Sequence, residues 1–309
     1  MLTQLASHPN ENDIKLALET VILKRPVLEP IVRSFSEILA EKTRIARQLG
    51  PVSAPALLNL DRTRLLQGIP LLTETSLDLL REQLDQTFHA MLTVLEKTFS
   101  HLANDYSSIE NLHNRGQLDL NRLSRAYLDG ESSAMRIAAT SAQTSEGVLA
   151  LLLHNTLSIM IQALRPSLQD YTRELQWYKG YCPICGSMPN ISYLVRADDL
   201  GSEFLKGGGG QKYLHCSLCG HDWRFIRNKC PACDTADKDM QLYFQSQEEH
   251  SERVDVCSKC GAYLPCIDLR ESTHGLPMDM AAISMVYLDV WATEKGYHPM
   301  TRTPWNLTE

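Results

Sequence analysis

The chain has 309 residues, 43% of them hydrophobic and 22% charged, the composition of an ordinary globular protein with room for two domains. Its net charge of −7 gives no electrostatic reason to expect a nucleic-acid or anionic-membrane partner. All nine cysteines fall between 182 and 266, which speaks against a secreted disulfide scaffold and for metal ligation in a reducing compartment.

The opening stretch, MLTQLASHPNENDIK, lacks a basic start and an apolar run. No signal peptide is expected from it, and the protein is expected to be cytoplasmic. Ile14, Leu18, Val21 and Ile22 form one apolar helical stripe, broken at Pro26 and Pro30. Ile31, Phe35, Ile38, Leu39 and Ile45 repeat at helical spacing as far as Gly50 and Pro51. From Pro51 to Leu72 the pattern lapses, and Pro55, Gly68 and Pro70 predict an ordered loop. A long helix follows, with Leu77, Leu80, Leu84, Phe88, Met91, Leu95 and Phe99 on one face. Shorter helical pieces over Leu118–Leu128 lead to the apolar segment Val148–Leu164, expected to end near Pro166. His154, Asn155, Thr156, Ser158 and Gln162 interrupt that segment, whereas a bilayer span needs about 20 mostly apolar residues. It reads as a buried central helix with no membrane insertion, and His154 as a satisfied core histidine. Residues 1–175 therefore predict a bundle of roughly six helices.

Near Trp177 the character changes to short strand-like runs: ISYLV (191–195), KYLH (212–215), DWRFIR (222–227), QLYFQ (241–245) and AYLPCIDL (262–269). Among them stand four Cys-x-x-Cys pairs, Cys182/Cys185, Cys216/Cys219, Cys230/Cys233 and Cys257/Cys260. Two thiolates three positions apart on a tight turn can face one ion about 2.3 Å away, so each pair fills half a tetrahedral shell. Gly186, Gly220, Asp234 and Gly261 follow the second cysteines, where such a turn favours a left-handed residue. Consecutive pairs share a hairpin most simply. That groups Cys182, Cys185, Cys216 and Cys219 in one site, and Cys230, Cys233, Cys257 and Cys260 in a second. Four-thiolate shells leave no position for water and suit structure or one-electron transfer, with iron or zinc equally acceptable.

Residues 176–228 and 229–270 thus predict two small metal modules, and 271–309 a C-terminal helix and tail carrying Met278, Ala281, Ala282, Met285, Leu288 and Trp291. Asp198–Gly210, ending in GGGG, predicts a surface loop. Cys266 reads as a buried thiol acting as a small hydrophobe, and His215 and His221 as neighbours of the second knuckle rather than ligands. Trp223 and Phe225, two apart, should share one sheet face. GGGG lacks the Lys-Ser/Thr of a phosphate loop, and no GxSxG or HExxH is present, so no catalytic residues are nominated.

The segments YCPICGSMPNISYLV (181–195), YLHCSLCGHDWRFIRNKCPAC (213–233) and CSKCGAYL (257–264) resemble the FdhE-type formate dehydrogenase accessory proteins. DMAAISMVYLDVWATEKGY (279–297) resembles them more weakly. The resemblance implies a cytoplasmic maturation factor that contacts the catalytic subunit of a formate dehydrogenase. It also implies a helical domain joined to two rubredoxin-like, iron-binding modules, with the eight paired cysteines as ligands. The glycine run at 207–210 and Cys266 depart from the family pattern. A rubredoxin-like electron-transfer protein is the alternative. A nucleic-acid-binding zinc ribbon fits less well, because residues 181–270 hold ten Lys/Arg against twelve Asp/Glu.

Overall fold

The computed structural model describes residues 11–50, 60–73, 75–172, 175–196, 210–270 and 276–306. The opening ten residues, Pro51, Pro55 and most of the Asp198–Gly210 loop lie outside the described residues. The chain forms two compact units: Met1–Arg33, Gln176–Pro183 and Ser187–Glu309 in one, Ser34–Leu175 and Ile184–Gly186 in the other. The architecture is a helical first part, then a small sheet region with two four-cysteine clusters, then C-terminal helices.

The helical unit contains most of α2 (Glu29–Leu49), then α3 (Arg62–Leu66), α4 (Arg81–Thr98), α5 (Ala103–Asn114), α6 (Leu120–Asp129), α7 (Ser132–Ser141) and α8 (Glu146–Thr172). Leu84, Phe88, Met91, Leu92 and Leu95 of α4 are buried at the spacing that places side chains on one helical face. They meet α8, which also packs on α5, α6 and α7 and is the centre of the bundle. Phe35 of α2 and Phe99 pack with their rings tilted by 57° and centroids 6.0 Å apart.

In α8, Glu146–Leu168 is long and apolar enough to cross a membrane, but 72% of its most apolar window is buried inside the protein. Its interrupting polar groups are satisfied locally. Asn155 Nδ2 donates to the Leu151 carbonyl at 2.8 Å, Thr156 to that of Leu152 at 2.9 Å, and His154 Nδ1 lies 2.9 Å from the Tyr127 hydroxyl.

Two expectations change here. α8 does not end near Pro166 but runs through this exposed proline to Thr172. The stretch read as a loop before Leu72 contains α3, whose start is fixed by Asp61 accepting from the Thr63 amide at 2.7 Å.

The sheet unit starts with α1 (Glu11–Lys24), which buries Ile14, Ala17 and Val21. Arg25, just past its end, makes a bidentate pair with Glu252, with Nη2 donating to Oε2 at 2.7 Å. Tyr287 lies under the guanidinium at 4.3 Å and donates its hydroxyl to the same carboxylate at 2.6 Å. The pair is 11% and 2% exposed, so its geometry and its extra hydrogen bond are what make burying it tolerable.

Strands β1 (Pro189–Val195), β2 (Gln211–Cys216), β3 (Asp222–Phe225), β4 (Gln241–Gln245), β5 (Glu252–Cys257), β6 (Ala262–Asp268) and β7 (His298–Pro299) form one sheet. Its order is β3-β2-β1-β6-β5-β4, with β7 pairing β6. Each ribbon is an antiparallel triplet, β1–β3 or β4–β6. A parallel pair, Ser192↔Cys266 to Leu194↔Asp268, fuses the two triplets. The expected C-terminal helix is two, α9 (Met278–Ser284), which packs on α1 and β1, and α10 (Val286–Glu294), which packs on β5, β6 and β7.

Candidate metal centres

Three of the four knuckles are closed by the same hydrogen bond. The first cysteine's carbonyl accepts from the amide of the residue after the second cysteine: Gly220 to Cys216 at 3.2 Å, Asp234 to Cys230 at 3.0 Å, Gly261 to Cys257 at 2.8 Å. That closure needs a left-handed residue, and Gly186, Gly220, Gly261 and Asp234 have φ of 82°, 63°, 76° and 61°. Asp234 is the costly member of the set. Its carboxylate receives Lys229 Nζ at 2.7 Å.

The turns stand in equivalent places in the two ribbons. One knuckle precedes the first strand of each triplet, and the other joins the second strand to the third. Cys182, Cys185, Cys216 and Cys219 consequently gather in one cluster and Cys230, Cys233, Cys257 and Cys260 in another, with all sulfurs of a cluster within 4.8 Å of one another. Sγ separations are 3.6 Å for Cys182–Cys219, 3.8 Å for Cys230–Cys260 and 3.8 Å for Cys233–Cys257. A tetrahedron with metal–sulfur bonds of about 2.3 Å has edges of about 3.8 Å, so the donor sets fit such an ion. All nine cysteines are free thiols.

Thiol electrostatics point the same way. Burial pushes the Cys230 thiol well above its ordinary range, and the neighbouring Cys260 and Cys257 add to the rise. Burial likewise raises Cys260, while at Cys257 it is outweighed by the amides of Cys260 and Lys259, which lower it. Four thiolates so close repel one another, and a divalent cation is the natural counter-charge.

The surroundings of the two clusters differ. The first is buried at all four cysteines, whereas Cys233 and Cys260 of the second are partly exposed. His215 belongs to neither cluster. It is buried, with Nδ1 2.8 Å from Asp222 Oδ1 and Nε2 3.4 Å from Asp279 Oδ1. Burial works against its charge, but these two carboxylates outweigh it and lift its pKa to about 10. Cys266 is fully buried in β6 opposite Ser192, as a small hydrophobe would be. Trp223 and Phe225 are both buried on β3, and Trp223 donates to the Lys179 carbonyl at 3.1 Å. A third group of donors, Asp85, His89 and His113, sits on the bundle. Sequence reading missed it, although Asp85 and His89, four apart on a helix, are a legible signal.

Fold and clusters define a class: a helical bundle chain with paired four-cysteine ribbons fused in one sheet. Within it, the chain is FdhE-like. Residues 181–227 match the family pattern described as FdhE, central domain. An FdhE homologue of Aquifex aeolicus is 34% identical over 148 residues, covering 46% of this chain and 49% of that protein. One from Edwardsiella ictaluri is 30% identical over 123 residues, covering 40% and 36%. The matched part is thus half or less of the length of these curated relatives. The crystal structure of the FdhE protein from Pseudomonas aeruginosa is similar in fold, with a TM-score of 0.59 at 19% identity over 96% of each chain.

Proposed function

We propose that this chain is a cytoplasmic, non-enzymatic accessory factor that binds the catalytic subunit of a formate dehydrogenase during its assembly. Cys182, Cys185, Cys216 and Cys219 would ligate one iron or zinc ion, and Cys230, Cys233, Cys257 and Cys260 the other. The observation that carries the reading is the pair of four-sulfur cages of metal-sized edge in an FdhE-like segment. A closed shell offers no position to a substrate, so its roles are rigidity and response to redox state. The modules 176–228 and 229–270 would depend on their ions, and the bundle 1–175 and the tail 271–309 would present the remaining surface. The test is a pull-down from a host that makes formate dehydrogenase, with the untagged catalytic subunit as readout. Enrichment over a control bait is expected, and its absence sinks the assembly role.

The partial exposure of Cys233 and Cys260 supports a second reading, electron transfer through a rubredoxin-like iron. Protein purified without oxygen from its native host should then be red and bleach reversibly on reduction. A zinc-only product removes this reading and leaves the first intact.

A further inference from the structure

We propose that the helical bundle carries a third metal site, open rather than closed, formed by Asp85, His89 and His113 and suited to a borderline divalent cation such as Zn²⁺, Co²⁺ or Ni²⁺. Asp85 and His89 are one turn apart on α4, so both project from the same face. α5 returns alongside α4, and its last turn brings His113 to them. His113 Nε2 lies 2.5 Å from Asp85 Oδ1, and His89 Nδ1 lies 3.6 Å from Asp85 Oδ2. The two imidazole centroids are 5.2 Å apart, and one donor atom from each of the three residues lies within 4.8 Å of the others. The ring of Phe88 packs against both imidazoles, at 5.7 and 4.9 Å between centroids, and limits their rotation.

Two further features favour a cation over a plain hydrogen-bonded pair. His113 Nδ1 is buried without a partner. That atom can carry the ring proton when Nε2 turns its lone pair to an ion. Beside the cluster lies an open groove of about 840 Å³, whose charged lining is Asp78, Glu82, Asp85 and Asp119 against Arg81. Its negative field concentrates cations at the site. Two imidazoles and a carboxylate suit first-row divalent ions and leave coordination positions for water or an exogenous ligand. That is the opposite of the sulfur cages, and it does not depend on the assembly role.

The experiment is a Co²⁺ titration of the untagged full-length chain under reducing, anaerobic conditions, by equilibrium dialysis and visible spectroscopy. Three equivalents are expected. Two carry the intense sulfur-to-metal charge-transfer bands of thiolate sites, and one gives only weak ligand-field bands. His89→Gln and Asp85→Asn should each weaken the third equivalent by more than about tenfold, the lower bound for losing merely a supporting partner. The thiolate bands and far-UV circular dichroism should stay unchanged and so report intact folding. Binding that stops at two equivalents overturns the proposal, as does a third equivalent that survives both substitutions.

Discussion

Lys212 and Asp255 meet across the fused ribbons, with Lys212 Nζ donating to Asp255 Oδ2 at 2.7 Å. They stand on β2 and β5, the strands flanking the parallel β1/β6 pair, and Arg253 Nε adds a second contact to the carboxylate at 3.0 Å. Lys212 is only 4% exposed, so the contact lies in a poorly solvated setting. Burial alone would raise the Asp255 pKa, but the two cations outweigh it and hold it below its ordinary value.

Removing one partner strands a buried charge. Asp255→Ala is expected to destabilise the sheet unit by about 3–5 kcal/mol. Lys212→Met together with Asp255→Leu should recover much of that loss. Chemical denaturation of the single and double variants gives the comparison; equal losses in both would show that the pair contributes only by packing.

Arg25 and Glu252 make the same argument for the N-terminal segment. Arg25→Ala leaves the Glu252 carboxylate buried with Tyr287 alone, and a loss of about 3–5 kcal/mol is expected. Hydrogen exchange should show α1 and β5 losing protection together. Loss confined to α1 contradicts the linkage.

Asp289 supplies a pH test away from the sulfur clusters. The residue is 3% exposed, and burial pushes its carboxyl up to about 7, with the Tyr263 hydroxyl pulling weakly the other way. Between its ordinary value of 3.8 and about 7 the folded state keeps a proton that the unfolded chain has released. Stability therefore falls as pH rises through that window, and the loss is complete above it. Asp289→Asn should be more stable than the parent at pH 8 by on the order of 4 kcal/mol, and no different below about pH 4. A pH-independent difference in urea unfolding would refute this assignment.

Gly180 tests how closely the ribbons approach. A Cβ there would overlap the backbone carbonyl of Pro231, inside the Cys230–Cys233 knuckle. Gly180→Ala is expected to perturb the second cluster although it lies near Cys182 in sequence. Metal analysis and ligand-field spectra of that variant should show the second site altered and the first retained. Cys216→Ser should instead cost the first ion alone, and Cys266→Ser neither.

The knuckles were legible because the chemistry is local: cysteine spacing and a left-handed closing residue fall within five positions, as at Cys230–Asp234. The bundle stripes were legible for a similar reason, since Leu84, Phe88, Met91 and Leu95 repeat within one helix. What stayed hidden depends on residues far apart. Ser192 pairs with Cys266 in a parallel register that no turn between them specifies. Likewise, nothing local to Arg25 announces Glu252. Pro166 misled for a different reason: a proline's missing N–H and ring clash can kink a helix as well as end it, and here the helix continues to Thr172.

The parallel seam between β1 and β6 has a thermodynamic corollary. Strand triplets that share hydrogen bonds cannot melt separately without tearing that shared edge, so ion release at either end is felt at the other. Chemical unfolding should then show one cooperative transition for the two triplets rather than two, with a midpoint that falls when either ion alone is missing.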